Sequence, residues 1–242
     1  MEKQQFGPTM ETSHDKIMAA KMEPVEKMSQ DDRNLLRESW KLITRNIEDT
    51  AYLIFEMIFS QSPDCKQLFP FMRIIDSSKK RSPEMEFHAL RFMQVMESMV
   101  NSLDRPTSIS PLLDNLGRVH GRLALSRGFK PHHWGVFIEC TLFHFRRVLS
   151  QHRQFNQLIT LDKTIIAWRT LLRCIIKSMK IGLSRDLANR ASHKEIEECS
   201  WTLPSIPLSI TPPDSISLPL FSRKSASLFS ILPKFNNERS SE

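Results

Sequence analysis

Two histidines carry the most specific chemistry in this chain. His88 and His120 stand 32 residues apart. The first lies in Ser82-Pro83-Glu84-Met85-Glu86-Phe87-His88 and the second in Leu116-Gly117-Arg118-Val119-His120. Each sits on its own stretch of helix-forming sequence, on the same side as that stretch's apolar residues. Two imidazoles that face each other across a flat apolar slot suit one ligand well, an iron porphyrin, because a neutral imidazole nitrogen is a good donor to haem iron. The competing reading for any single histidine is an ordinary hydrogen-bonded side chain.

The elements that must position this pair are helices. Ser29 followed by Asp32 approximates a capping box, and Leu36, Trp40, Ile43 and Ile47 then recur at helical spacing, which predicts a helix over 30–47. A second helix is expected over 49–60. Ser62-Pro63, Ser82-Pro83 and Ser110-Pro111 each read as a helix start, with serine as the N-cap and proline in the first turn. The Ser82 helix is long, with His88, Phe92, Val95, Met96, Met99 and Leu103 on one face. The Ser110 helix is shorter, with Leu112, Leu116 and His120 on one face, and Gly121 and Gly128 loosen the chain after it. Helices over about 131–151 and 158–183 complete an all-α fold of seven to eight helices. Residues 1–28 read as a flexible arm, 29–184 as one domain, and 185–242, rich in serine and proline, as a disordered tail.

Composition agrees with an all-helical chain: only six glycines occur in 242 residues, and no alternating β-branched runs appear. The net charge of +7 is uneven. Residues 29–183 hold 23 basic and 15 acidic side chains, so +8, against −1 for 1–28 and zero for 184–242. No nucleic-acid motif accompanies that charge, and most of it reads as solvated surface. The four cysteines, Cys65, Cys140, Cys174 and Cys199, form no CxxC motif and are too sparse for a disulfide scaffold. Cys65 is a candidate thiol sensor, although a structural role is the commoner one. No signal-peptide pattern and no membrane-spanning run is found, so the expected location is cytoplasmic. His132-His133 resembles a metal pair, but adjacent helical residues diverge, and both are read as surface or loop histidines. Arg223-Lys224-Ser225-Ala226-Ser227 resembles a basophilic kinase site.

Taken together, these residues resemble the globin family, in places its neuroglobin branch. Trp40 stands where globins commonly carry tryptophan in the first helix. Pro63 and Phe69 are six residues apart, similar to the proline that opens the short third helix and the phenylalanine that packs on haem. Ser82-Pro83-Glu84 before His88 resembles the start of the neuroglobin distal helix, and Leu116-Gly117-Arg118-Val119-His120 resembles the family's Leu-Gly-x-x-His. The resemblance covers about residues 29–183. It departs at position 92, where Phe replaces the usual Val, Ile or Leu.

The resemblance implies a globin-like fold around haem b, with His120 as the proximal iron ligand and His88 facing the sixth position. There His88 either donates a hydrogen bond to bound oxygen or ligates the iron itself. Phe69 would pack on the porphyrin face, Phe55 and Phe92 would make the distal side aromatic, and Leu116 would line the proximal side. Arg91 is the best candidate partner for the haem propionates, with Lys79, Lys80, Arg81 and Arg118 behind it. The implied function is reversible binding of oxygen or another diatomic gas, not enzymatic turnover. The alternative is a bis-histidyl redox or gas sensor, or an electron-transfer protein, signalling to a partner through the tails. Nitric oxide dioxygenase or nitrite reductase activity would need an electron supply that the chain does not carry. Neither nucleic acid nor membrane is an expected partner.

Overall fold

The structure is a computed structural model that describes residues 13–69, Met72 and 81–200. Residues 1–12, Lys79, Lys80, Arg223–Ser227 and the rest of 201–242 lie outside the described residues. The described residues form seven α-helices: α1 (Ser13–Glu26), α2 (Gln30–Ile43), α3 (Ile47–Gln61), α4 (Pro83–Asn101), α5 (Ser110–Arg127), α6 (Pro131–Leu149) and α7 (Leu158–Ser200). Short 3-10 turns occupy Thr44–Asn46, Pro63–Leu68 and Pro106–Ile109. No strand occurs among the described residues.

Local chemistry starts and stops these helices. The Ser29 side chain accepts the Asp32 backbone N–H at 3.1 Å, and its hydroxyl donates to the Asp32 carboxylate at 2.7 Å, which satisfies an orphan donor of the first turn of α2. Ser82 caps α4 in the same way through the Met85 N–H. The other two Ser-Pro pairs behave differently. The Ser62 side chain makes no capping bond to the backbone, and its hydroxyl turns to Asp64 at 2.5 Å. Ser110 lies inside α5, because the 3-10 turn from Pro106 already has helical dihedrals at Ile109. Gly121 does not end α5 either. The helix runs to Arg127 and stops at Gly128, whose φ of +72° is the left-handed conformation favoured at a C-terminal cap.

Two expectations about the ends are corrected. Residues 13–26 form a helix, not a flexible arm: Met18, Met22 and Val25, at i, i+4 and i+7, bury one stripe of α1, which packs against α7. The sequence places the tail from residue 185, but α7 continues to Ser200. Arg185 reaches back to Asp114 on α5 at 2.6 Å, so the packed region passes the expected boundary.

The core lies where α2, α6 and α7 meet. Trp168 is fully buried and packs against Trp40 and Phe145, with ring centroids 5.9 and 4.9 Å away. Its indole N–H donates to the buried Ser39 hydroxyl at 2.9 Å. The contact between α5 and α7 is the tightest, because glycines let the two backbones touch. A Cβ placed on Gly117 would stand 1.9 Å from the Met179 carbonyl oxygen, and one on Gly182 would stand 2.2 Å from that of Asp114.

Candidate functional site

Four segments converge on the histidine pair. α4 carries His88 and Phe92, α3 carries Phe55, the end of the Pro63–Leu68 turn presents Phe69, and α5 carries His120. On α4 the buried residues are Met85, Ala89, Met93, Met96, Met99 and Val100. His88, Phe92 and Val95 flank this stripe and are half-buried, so they line the cleft between helices and not the core itself. Of the expected face, Met96, Met99 and Leu103 are buried, while His88, Phe92 and Val95 lie beside the buried stripe, a difference that periodicity alone cannot resolve on a helix with apolar residues on both sides of the stripe.

His88 sits in an aromatic wall. Phe55 and Phe69 meet its ring edge-to-face, with centroids at 5.2 and 4.9 Å. Phe92 packs on Phe55 at 6.1 Å and on Phe137 of α6 at 4.9 Å. Phe69 is placed by its anchored neighbour: the Arg127 guanidinium at the end of α5 donates to the Leu68 carbonyl at 3.1 Å.

On the other wall, His120 packs against Trp134 at 5.1 Å and Phe129 at 5.6 Å. Its Nδ1 lies 2.8 Å from the Leu116 carbonyl oxygen, one helical turn back. A carbonyl can only accept, so Nδ1 carries the proton and Nε2 keeps a lone pair for a metal. Both imidazoles are held neutral. Burial pushes His88 down to about 4, assisted by the nearby His120. Burial also lowers His120, partly opposed by its bond to Leu116. Neutral imidazoles packed among aromatic side chains fit an iron porphyrin in donor chemistry and in apolarity.

The remaining expected residues are placed as follows. Leu116 acts through its backbone oxygen, and its side chain packs against the core. Arg91 is half-buried one turn after His88, bonded to Gln94 at 3.2 Å and stacked over the exposed Phe87 at 4.9 Å. Arg81 turns toward α3, where it pairs with Asp49 and lies over Tyr52 at 4.5 Å. Arg118 pairs with Asp114 at 3.0 Å. The sequence reading did not select Phe129, Trp134 and Phe137 for the site. Their signal was the aromatic spacing around Pro131, which also suits a plain core helix.

The family model described as Globin matches residues 53–179, a span that contains Phe55, Phe69, His88, Phe92, Leu116, His120 and Trp134. The chain belongs to the globin family. It is 29% identical over 156 residues to the globin-related protein glb-13 of Caenorhabditis elegans, covering 64% of this chain and 52% of that protein, so the match spans about half of that relative's length. It is 27% identical over 169 residues to the neuroglobin of Tetraodon nigroviridis, covering 69% of this chain and 99% of the neuroglobin. Among solved structures it is similar to the globin-like protein Glb-12 of C. elegans, with a TM-score of 0.55 and 23% identity over 69% of this chain and 95% of the other. A hexacoordinated haem protein from an anhydrobiotic tardigrade gives a TM-score of 0.50 at 22% identity, over 62% of this chain and 96% of the other. These structural likenesses establish the globin fold. Family membership implies a haem cofactor, and the donor set described above is chemically fit to hold one.

Of the adjacent pair His132-His133, His132 is exposed as expected, and His133 departs from its expected place at the surface. His133 is 3% exposed, and its Nε2 lies 3.0 Å from Asp64 Oδ2. His132 Nε2 lies 3.5 Å from the same oxygen. The two rings therefore converge on one carboxylate. That shared acceptor lies far away in sequence, which residue spacing does not reveal.

No described helix is long and apolar enough to cross a membrane.

Proposed function

We propose that this globin holds haem b with His120 as the proximal iron ligand and His88 on the distal side, and that it reversibly binds oxygen or another diatomic gas in the cytoplasm. The observation that carries this reading is the pair of neutral imidazoles within one aromatic-walled cleft, His120 having Nδ1 tied to the Leu116 carbonyl. When bound, the haem supplies a ferrous iron that takes up a diatomic ligand. The chain's own residues do the rest. The Leu116 carbonyl orients the His120 ring and sets its tautomer. Phe55, Phe69 and Phe92 keep water from the distal side and crowd it. His88 offers the hydrogen-bond donor of that wall, and Arg91 stands closest in sequence to receive a propionate. The chain acts by binding and not by turnover.

A second reading has one specific support. His88 is neutral and lies near enough to His120 that protonation of one ring opposes protonation of the other, and one fold neighbour is a hexacoordinated haem protein. In that reading His88 holds the sixth position and the protein serves as a redox or gas sensor, or in electron transfer, with a partner engaged through the terminal extensions.

Visible spectra of the dithionite-reduced full-length protein, before and after carbon monoxide, test both. A broad band that shifts at once supports the gas-binding reading. Sharp split bands that shift slowly, and promptly in His88→Leu, support the bis-histidyl one. If repeated oxygenation gives only irreversible oxidation, reversible oxygen binding is refuted.

A further inference from the structure

We propose that Asp64, His132 and His133 form a second metal site, for a divalent transition-metal ion of the zinc type, separate from the histidine pair above. One nitrogen from each imidazole and one carboxylate oxygen lie within 4.8 Å of one another. Zinc holds nitrogen and oxygen ligands at about 2.0–2.2 Å, which places neighbouring ligand atoms of a tetrahedron roughly 3.4 Å apart. The two carboxylate-to-imidazole separations, 3.0 and 3.5 Å, bracket that value. A set of two imidazoles and one carboxylate selects zinc, copper or nickel over magnesium and calcium, which prefer all-oxygen shells. Three protein ligands leave a fourth position for water.

The site is partly prebuilt. His133 is buried, and the Ser62 hydroxyl bonds the second carboxylate oxygen of Asp64 at 2.5 Å, fixing the orientation of Oδ2. Second-shell bonds of this kind orient metal ligands. Two features oppose a cation. The Lys130 ammonium lies 3.7 Å from Asp64 Oδ2, but that side chain is 57% exposed and free to swing into solvent. The positive end of the α6 dipole also points toward the site.

A third feature defines how binding would proceed. His133 Nδ1 accepts the Lys130 backbone N–H at 3.0 Å, so the ring proton sits on Nε2 and donates to Asp64. Ligation through Nε2 moves that proton to Nδ1, and the Lys130 N–H loses its acceptor. Metal binding is therefore coupled to loss of the bond from the Lys130 N–H to the His133 ring at the start of α6. Phe129 touches both His133, at 5.3 Å, and His120, at 5.6 Å, so the new site stands one aromatic ring from the proximal histidine.

The test is calorimetric titration of zinc chloride into the haem-loaded full-length protein, comparing wild type with His132→Ala, Asp64→Asn and, as a control, His152→Ala. His132 is exposed and uncapped, so its removal leaves the fold intact, as the thermal midpoint without zinc verifies. The expected result is one equivalent bound by wild type and by His152→Ala, with affinity reduced at least about tenfold in His132→Ala and in Asp64→Asn. Zinc-edge absorption should show two imidazoles in the first shell, and zinc should raise the thermal midpoint of wild type but not of His132→Ala. Equal affinity in wild type and His132→Ala, or no one-equivalent binding by wild type, would overturn the proposal. Neither outcome touches the haem reading, which is read from the visible spectrum.

Discussion

Gly117→Ala should separate the packing logic of α5 from ordinary helix propensity. An added Cβ would stand 1.9 Å from the Met179 carbonyl oxygen, 2.8 Å from its carbon and 3.0 Å from the Leu183 nitrogen. All three are backbone atoms of α7, so no rotamer change relieves the clash. Reaching even 3.0 Å from that oxygen requires about 1.1 Å of displacement between α5 and α7 (3.0 − 1.9). Overpacking of this kind costs about 1–3 kcal/mol, and the upper end applies where backbone is the obstacle. The better helix propensity of alanine returns about 1 kcal/mol. The net expected loss is about 2 kcal/mol, or about 4–8 °C in thermal midpoint for a domain of this size. His120 lies three residues further along the same helix, so its ring should shift against Trp134 and Phe129, and haem should dissociate faster. Gly135→Ala is the matched control, since a Cβ there meets nothing within 4 Å. It should stabilise by up to about 1 kcal/mol. Thermal melts and haem transfer to an acceptor globin read both variants. A Gly117→Ala protein as stable as wild type, with unchanged haem loss, would refute the close-contact argument.

Three further outcomes are expected. Phe92→Val removes the ring that packs on Phe55 and Phe137; it should cost about 1–2 kcal/mol and speed carbon monoxide association after flash photolysis, whereas an unchanged rate would mean that Phe92 does not crowd the distal side. Arg185→Ala removes the 2.6 Å bond to Asp114 and should lower stability by about 1–2 kcal/mol in urea melts; no change would place the end of the working domain before residue 185. His144 is held below its ordinary value of 6.5 by burial first and Arg147 second, so the unfolded chain binds its proton more readily than the folded one. The stability from keeping it neutral is complete above about pH 6.5 and declines as pH falls below that value. His144→Gln should therefore lose less of its urea midpoint between pH 7 and pH 5 than wild type does, and parallel losses would contradict this assignment.

Much of the frame could be read from residue types because those residues act locally. Serine at 29 and at 82, proline at 83 and 131, and the three- and four-residue spacing of Leu36, Trp40 and Ile43 each determine a start or a face within one turn. The histidine pair was visible for the same reason, each ring lying on the cleft side of its own helix. What stayed hidden depends on partners distant in sequence. Gly121 looks like a break, yet it serves a close approach to Asp186 and Leu183 of α7. Asp64 is 68 residues from His132, and nothing along the chain indicates that they meet. Residues 185–200 look polar and unstructured until Arg185 finds Asp114 across α5. The stripe of Met18, Met22 and Val25 had the right spacing, but a single narrow stripe among polar residues did not distinguish a docked helix from an arm.

Titrating haemin into the full-length wild-type protein and His120→Ala, with the visible spectrum recorded in the ferric and dithionite-reduced states, decides whether His120 holds the iron. One haem per chain is expected, with histidine-ligated bands in wild type. Weaker uptake with altered bands is expected in His120→Ala, partly restored by added imidazole. No haem uptake by wild type, or identical bands and affinity in the variant, would contradict iron ligation by His120.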